Sequence, residues 1–157
     1  MGKKHKYGKQ KRYDEAFVTL ARQLAMETPG IPIAAVLVDR EGNVIATGVN
    51  QRVQKNSSIL HGETACLENA GRLPASVLRK CTMYTTLSPC QMCSGAILLY
   101  GIRRVVILDN RGFMGDEKLL RKRGVKVRVA DDKQMVKYFR MWKRENPELW
   151  NEDIGEE

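Results

Sequence analysis

Apolar positions change their period several times along the chain, and each change marks an element. Over residues 14–28, Phe17, Leu20, Ala21 and Leu24 recur at helical spacing until Pro29-Gly30 stop the run, which predicts a first helix. Two apolar runs of strand length follow, 33–38 and 44–49, with Gly42-Asn43 turn chemistry between them, so they predict a β-hairpin. Asn50 ends the second strand and a polar loop, 51–58, leads to His61. Residues 62–70 form a short helical stretch stopped by Gly71, which places His61 at a helix start. A turn-rich link over 72–80 precedes a β-branched and aromatic strand at 82–86. Leu87-Ser88-Pro89 then turns the chain into a helix that opens with Cys90 and Cys93 and packs Ala96, Ile97, Leu98 and Leu99 inside.

The second half continues the alternation. A strand at 105–108 is followed by a loop at 109–115 holding Phe113, a charged helix at 116–123 closed by Gly124, and a strand at 125–129. A helix between two strands is a crossover, so these strands are predicted to run parallel. Residues 133–145 form a further helix with Met135, Val136, Phe139 and Trp142 on its core face, and Pro147 breaks it. By pattern alone, the tail from Leu149 to Gly155 reads as a frayed end.

Length and composition narrow the setting. The 157 residues fit one domain with one substantial core, and no apolar run is long enough for a membrane span. The Lys-rich start lacks the apolar stretch of a secretory signal, which points to a cytoplasmic, or cytoplasmic and nuclear, location. Residues 1–12 read as a flexible basic arm of solvated charge ahead of a single domain at 13–157. The net charge of +9 attracts polyanions without showing that one is the substrate.

The chemistry lies in His61-Gly62-Glu63 and Pro89-Cys90-Gln91-Met92-Cys93. Two thiolates three residues apart at a helix start project from one face, and the positive end of the helix favours the thiolate form. With His61 they make three ligands for Zn²⁺ and leave a fourth position open, the pattern of a catalytic zinc. Glu63 lies two residues from a ligand and can act as general acid and base beside the metal. The other two of the four cysteines, Cys66 and Cys81, sit among apolar residues and read as buried thiols. A lone Cys-x-x-Cys also suits a redox pair or half a zinc knuckle. Combined in this order, the two stretches match the zinc-deaminase signature His-x-Glu…Pro-Cys-x-x-Cys.

On these residues the chain resembles the fungal cytosine deaminases, in the cytidine deaminase-like zinc hydrolase superfamily. The similarity runs through Leu60-His61-Gly62-Glu63, Leu67-Glu68-Asn69, Gly71-Arg72-Leu73, Tyr84-Thr85-Thr86-Leu87-Ser88-Pro89-Cys90 and Gly95-Ala96-Ile97, and returns at Trp150 and Glu152-Asp153-Ile154-Gly155. It implies an α/β fold, a three-layer α/β/α sandwich with a five-stranded mixed sheet and helices on both faces, working as a homodimer. It also implies hydrolysis of free cytosine to uracil and ammonia in pyrimidine salvage, with one zinc ion per chain and activity on 5-substituted cytosines such as 5-fluorocytosine. In that family's pocket Asn50 and the Gly62 N–H would meet the pyrimidine carbonyl and ring N–H. Asp153 and the Ser88 carbonyl would take the exocyclic amine, while Ile33, Phe113, Trp150 and Ile154 line or lid the cavity. Glu63 would take the water proton to ring N3, making C4 electrophilic, and later protonate the departing amine.

Two other functions fit parts of the pattern. A tRNA adenosine deaminase shares the zinc chemistry and suits the positive charge, but such enzymes usually carry Ala where Gly62 stands and need an open groove rather than a closing tail. A catalytically inactive deaminase-fold protein binding nucleic acid would have no use for Glu63.

Overall fold

The structure is a computed structural model that describes residues 2–157, with side chains from residue 13 onward. Its elements are α1 (Gly2–Glu27), β1 (Ala34–Val38), β2 (Val44–Val49), α2 (Arg52–Lys55), α3 (Gly62–Ala70), α4 (Ala75–Leu78), β3 (Thr82–Leu87), α5 (Gln91–Leu99), β4 (Arg104–Asp109), α6 (Glu117–Lys122), β5 (Lys126–Val129), α7 (Lys133–Glu145) and α8 (Pro147–Asp153). The strands form one sheet in the order β2-β1-β3-β4-β5, antiparallel where β1 meets β2 and β3, and parallel from β3 through β5. β1 is buried along its whole length, as suits a central strand with helices on both faces, whereas β5 at the edge has no buried residue. One core lies under α1 and α7 and holds Val18, Val36, Val106, Met135 and Phe139; the other lies under α3, α5 and α6 and holds Leu37, Cys66, Met83, Ile97 and Leu120. The fold is therefore the predicted three-layer α/β/α arrangement on a five-stranded mixed sheet.

Differences from the expected elements are local. α1 extends back to Gly2 rather than starting near Asp14. The side chains of the expected basic arm lie outside the described residues. Single-turn helices α2 and α4 occupy the expected polar loop and turn-rich link. Pro147 does end α7, but it sits in the first turn of a new helix, α8, where its missing N–H is no loss. The expected frayed tail is thus helical. Among the described residues no helix is long and apolar enough to cross a membrane.

Two devices place the site. Gly48 on β2 lets α3 approach so closely that a Cβ there would fall 2.2 Å from the Cys66 backbone nitrogen, so no larger residue fits. α1 is fastened to the sheet by the buried Asp14, whose carboxylate accepts from Tyr84 (2.7 Å), Arg104 (2.9 and 2.6 Å) and Arg128 (2.8 Å). The start of β1 and the ends of β2, β3 and β4 then share one rim of the sheet. Every loop bearing a candidate site residue leaves from that rim.

Candidate active site

His61 caps α3 in an extended conformation, and Cys90 does the same for α5, so two helix starts face each other across the rim. Thr64 fixes the first corner by accepting from the His61 backbone N–H at 2.9 Å and donating to the Ile59 carbonyl. The Cys90 Sγ lies 3.6 Å from His61 Nδ1, and one donor atom from each of His61, Cys90 and Cys93 falls within 4.8 Å of the others. Zinc bonds of about 2.3 Å to sulfur and 2.0–2.1 Å to nitrogen put tetrahedral ligand atoms about 3.6–3.8 Å apart. The donor set and spacing fit a zinc ion held by His61 and the two sulfurs. The Cys90 thiol is pulled down to about 4, first by a hydrogen bond from Cys93 and then by His61, while Cys93, as the donor and deeply buried, is held well above its usual value. Cys66, by contrast, is pushed up to about 12 by burial, and both it and Cys81 are buried free thiols as expected.

Glu63 is buried beneath this cluster. Its Oε1 accepts from Thr85 Oγ1 at 3.0 Å and its Oε2 lies 3.4 Å from the Cys93 sulfur. Burial raises its pKa above the ordinary carboxylate range, which brings its proton affinity closer to neutral. Thr85 had no signal of its own in the sequence, since a β-branched residue in a strand needs no further explanation.

Ile33, His61, Glu63, Leu87, Ser88, Cys90, Phe113, Trp150, Asp153 and Ile154 line one cavity with a free volume of about 10 Å³. That is room for one water. A nucleobase therefore enters only if the cover moves. The cover is α8 with the Phe113 loop: Trp150 packs edge-on against Phe113 (5.6 Å between centroids) and Phe139 (5.1 Å), with the Lys143 ammonium 5.3 Å from its ring. Asp153 turns inward, 3.5 Å from His61 Nε2, and accepts from Asn50 Nδ2 at 2.7 Å. Burial raises its pKa, against the pull of His61, Asn50 and Arg52. Asn50 itself does not line the cavity; its amide is engaged by Asp153 and by the Arg52 backbone N–H at 3.0 Å. Gly62 stands against β1, where an added Cβ would come within 3.1 Å of the Ala34 Cα and the Ile33 carbonyl.

The Ser88 corner is braced by groups the sequence did not single out. Its hydroxyl donates to the buried Glu117 (2.6 Å) and accepts from the Gly115 N–H (2.9 Å), which joins the cysteine turn to the far end of the Phe113 loop. Gly115 passes so close that a Cβ would fall 1.8 Å from the Pro89 carbonyl oxygen. The near end of the loop is held by Asp109, which accepts from the Arg111 (2.7 Å) and Gly112 (3.0 Å) N–H groups.

Residues 9–109 match the family described as the cytidine and deoxycytidylate deaminase zinc-binding region. The chain belongs to this family. It is a hydrolytic deaminase, and its resemblance to the fungal cytosine deaminases holds: it is 51% identical over 127 residues to the cytosine deaminase of Candida albicans, covering 81% of this chain and 85% of that one. A tRNA-specific adenosine deaminase of Buchnera aphidicola is 42% identical over 83 residues, 52% of this chain and 54% of the relative. The guanine deaminase of Nitrosomonas europaea shares the fold, with a TM-score of 0.68 at 23% identity over 83% of this chain and 84% of that one. The family match ends at Asp109, so the Phe113 loop and α8 lie beyond the shared zinc region.

Proposed function

We propose that this deaminase converts free cytosine to uracil and ammonia, with one zinc ion held by His61, Cys90 and Cys93. The observation that carries the substrate is α8 laid across the cavity, with the Asp153 carboxylate and the Trp150 ring turned toward the candidate metal centre. A planar base with an exocyclic amine suits an apolar slot ending in one inward carboxylate.

A zinc ion on these ligands supplies a Lewis acid that brings the pKa of water near neutrality. Glu63 takes one proton of the attacking water and passes it to ring N3 so that C4 becomes electrophilic, then takes the remaining proton from the new C4 hydroxyl and delivers it to the departing amine as the C4 carbonyl forms. Thr85 holds one Glu63 oxygen and leaves the other facing the thiolate side. Asp153 and the Ser88 carbonyl take the amine hydrogens. Asn50 and the Gly62 N–H hold the carbonyl and ring N–H once Asn50 exchanges its bond to Asp153 for one to the base. Ile33, Phe113, Trp150 and Ile154 exclude water from around the ring.

Activity on 5-fluorocytosine, a place in pyrimidine salvage and a cytoplasmic location belong to the same proposal. So does a homodimer, supported by the exposed Ile59 and Tyr100 lining a groove of about 610 Å³ between α3 and α5. The test compares kcat/KM for cytosine, cytidine and an adenosine-containing tRNA stem-loop. Cytosine should lead by at least two orders of magnitude; preference for the stem-loop would replace this function with tRNA editing.

A further inference from the structure

Arg52 has no part in the zinc chemistry, yet it is a cation that the acidic end of α8 faces. It projects from α2, and its side chain is 13% exposed. One guanidinium nitrogen, Nη1, donates to the Ser58 carbonyl at 2.6 Å, which ties it to its own loop. The opposite edge points at α8, with Nη2 3.8 Å from Glu152 Oε2 and Nε 3.8 Å from Asp153 Oδ1. Nε is buried and has no hydrogen-bond acceptor among the described residues. The backbone N–H of Arg52 also holds Asn50 Oδ1, so one residue touches both the lid and the amide that orients Asp153.

We propose that Arg52 is a positioning residue, an electrostatic latch that keeps α8 closed over the cavity and sets how long it stays there. This rests on α8 being the lid of the cytosine site. Two carboxylates at the carbonyl end of α8 attract the cation, and that pull acts at 3.8 Å without a hydrogen bond. A directed bond to Asp153 would have to break at every opening. A Coulombic contact only weakens, so the lid is held shut yet released in each turnover. Asp153 also meets His61, which lines the cavity, and Asn50, which lies behind it, but both contacts are to Asp153 alone.

The test is amide hydrogen exchange of the 147–157 peptide in the zinc-loaded, ligand-free protein, with steady-state kinetics on cytosine, for the parent, Arg52→Gln and Arg52→Lys. Arg52→Gln should speed exchange of that peptide about tenfold with α7 unchanged, and raise KM about tenfold while kcat stays level or rises, because lid opening and product release often limit turnover. In the parent, 0.5 M salt should produce much of the same change; the glutamine variant should be indifferent to salt, since little charge attraction is left to screen. Arg52→Lys keeps the charge without the planar fork and should fall between the two, with salt dependence retained. Exchange that rises only in the 51–60 loop, a lysine variant equal to glutamine, or a fall in kcat at constant KM would each overturn the latch. The exchange readout needs no substrate, so a parent that fails to deaminate cytosine would sink the substrate assignment and leave this test standing.

Discussion

Trp150→Ala is the sharpest probe of the lid. Trp150 is 8% exposed and makes two edge-on aromatic pairs, with Phe113 and Phe139, and lies under the Lys143 ammonium. Each aromatic pair contributes about 0.5–1.5 kcal/mol beyond area burial and the cation contact about 0.5–1 kcal/mol, and removing a buried Trp side chain costs about 3–5 kcal/mol altogether. α8 has seven residues and packs chiefly on α7, so it cannot absorb such a loss and remain docked. The loss should therefore appear as local opening more than as global unfolding. About 3 kcal/mol is roughly a 10²-fold drop in the closed population, and kcat/KM for cytosine should fall by about 10- to 100-fold. Cytidine, which the closed lid excludes, should lose much less, so the cytosine-to-cytidine ratio shrinks. The assay is kcat/KM for both substrates together with the thermal midpoint. A variant whose ratio stays within twofold of the parent's would refute the lid.

Further outcomes are as specific. Glu63→Ala should retain zinc and the fold yet lose at least about 10³-fold in turnover, since it removes both proton transfers; a variant with full zinc and half the parental rate would contradict the role. Cys90→Ala should lose zinc by metal analysis, and Cys66→Ala/Cys81→Ala should keep it, because those thiols are buried away from the cluster. Asp14→Asn should destabilise the fold by about 2–3 kcal/mol in chemical denaturation at pH 7, since it leaves two partly buried guanidinium groups facing a neutral amide. Burial alone would raise the Asp14 pKa, but hydrogen bonds from Arg104, Tyr84 and Arg128 hold it below the ordinary carboxylate value. A folded-state pKa below the unfolded one means that this stability is present above about pH 4 and vanishes as pH falls through the folded value, so parent and variant should converge there.

The cluster of His61, Cys90 and Cys93 and the carboxylate of Glu63 beside it were legible in the sequence because the chemistry leaves little choice of residue. Zinc needs thiolates and an imidazole, two of them on one helix turn, and the spacing of Cys90 and Cys93 survives any detail of packing. The sheet was equally legible: β1 to β5 lie within a residue or two of the expected runs, because burial of a strand between helix layers is written in consecutive apolar residues. The tail was different. As a pattern it read as frayed, and only the family resemblance gave Trp150 and Asp153 a function; α8 became a helix through its packing on Phe139 and Phe113. Thr85 under Glu63, Glu117 behind Ser88 and Arg52 beside Asp153 left no trace in the sequence. Each is an ordinary residue for its local element, and its partner is brought to it by the chain's return across the sheet. Local periodicity and ligand chemistry are short-range and so are carried by the sequence itself, whereas the contacts that orient and cover the site join segments far apart in the chain, and only the closed tertiary structure decides which side chains meet.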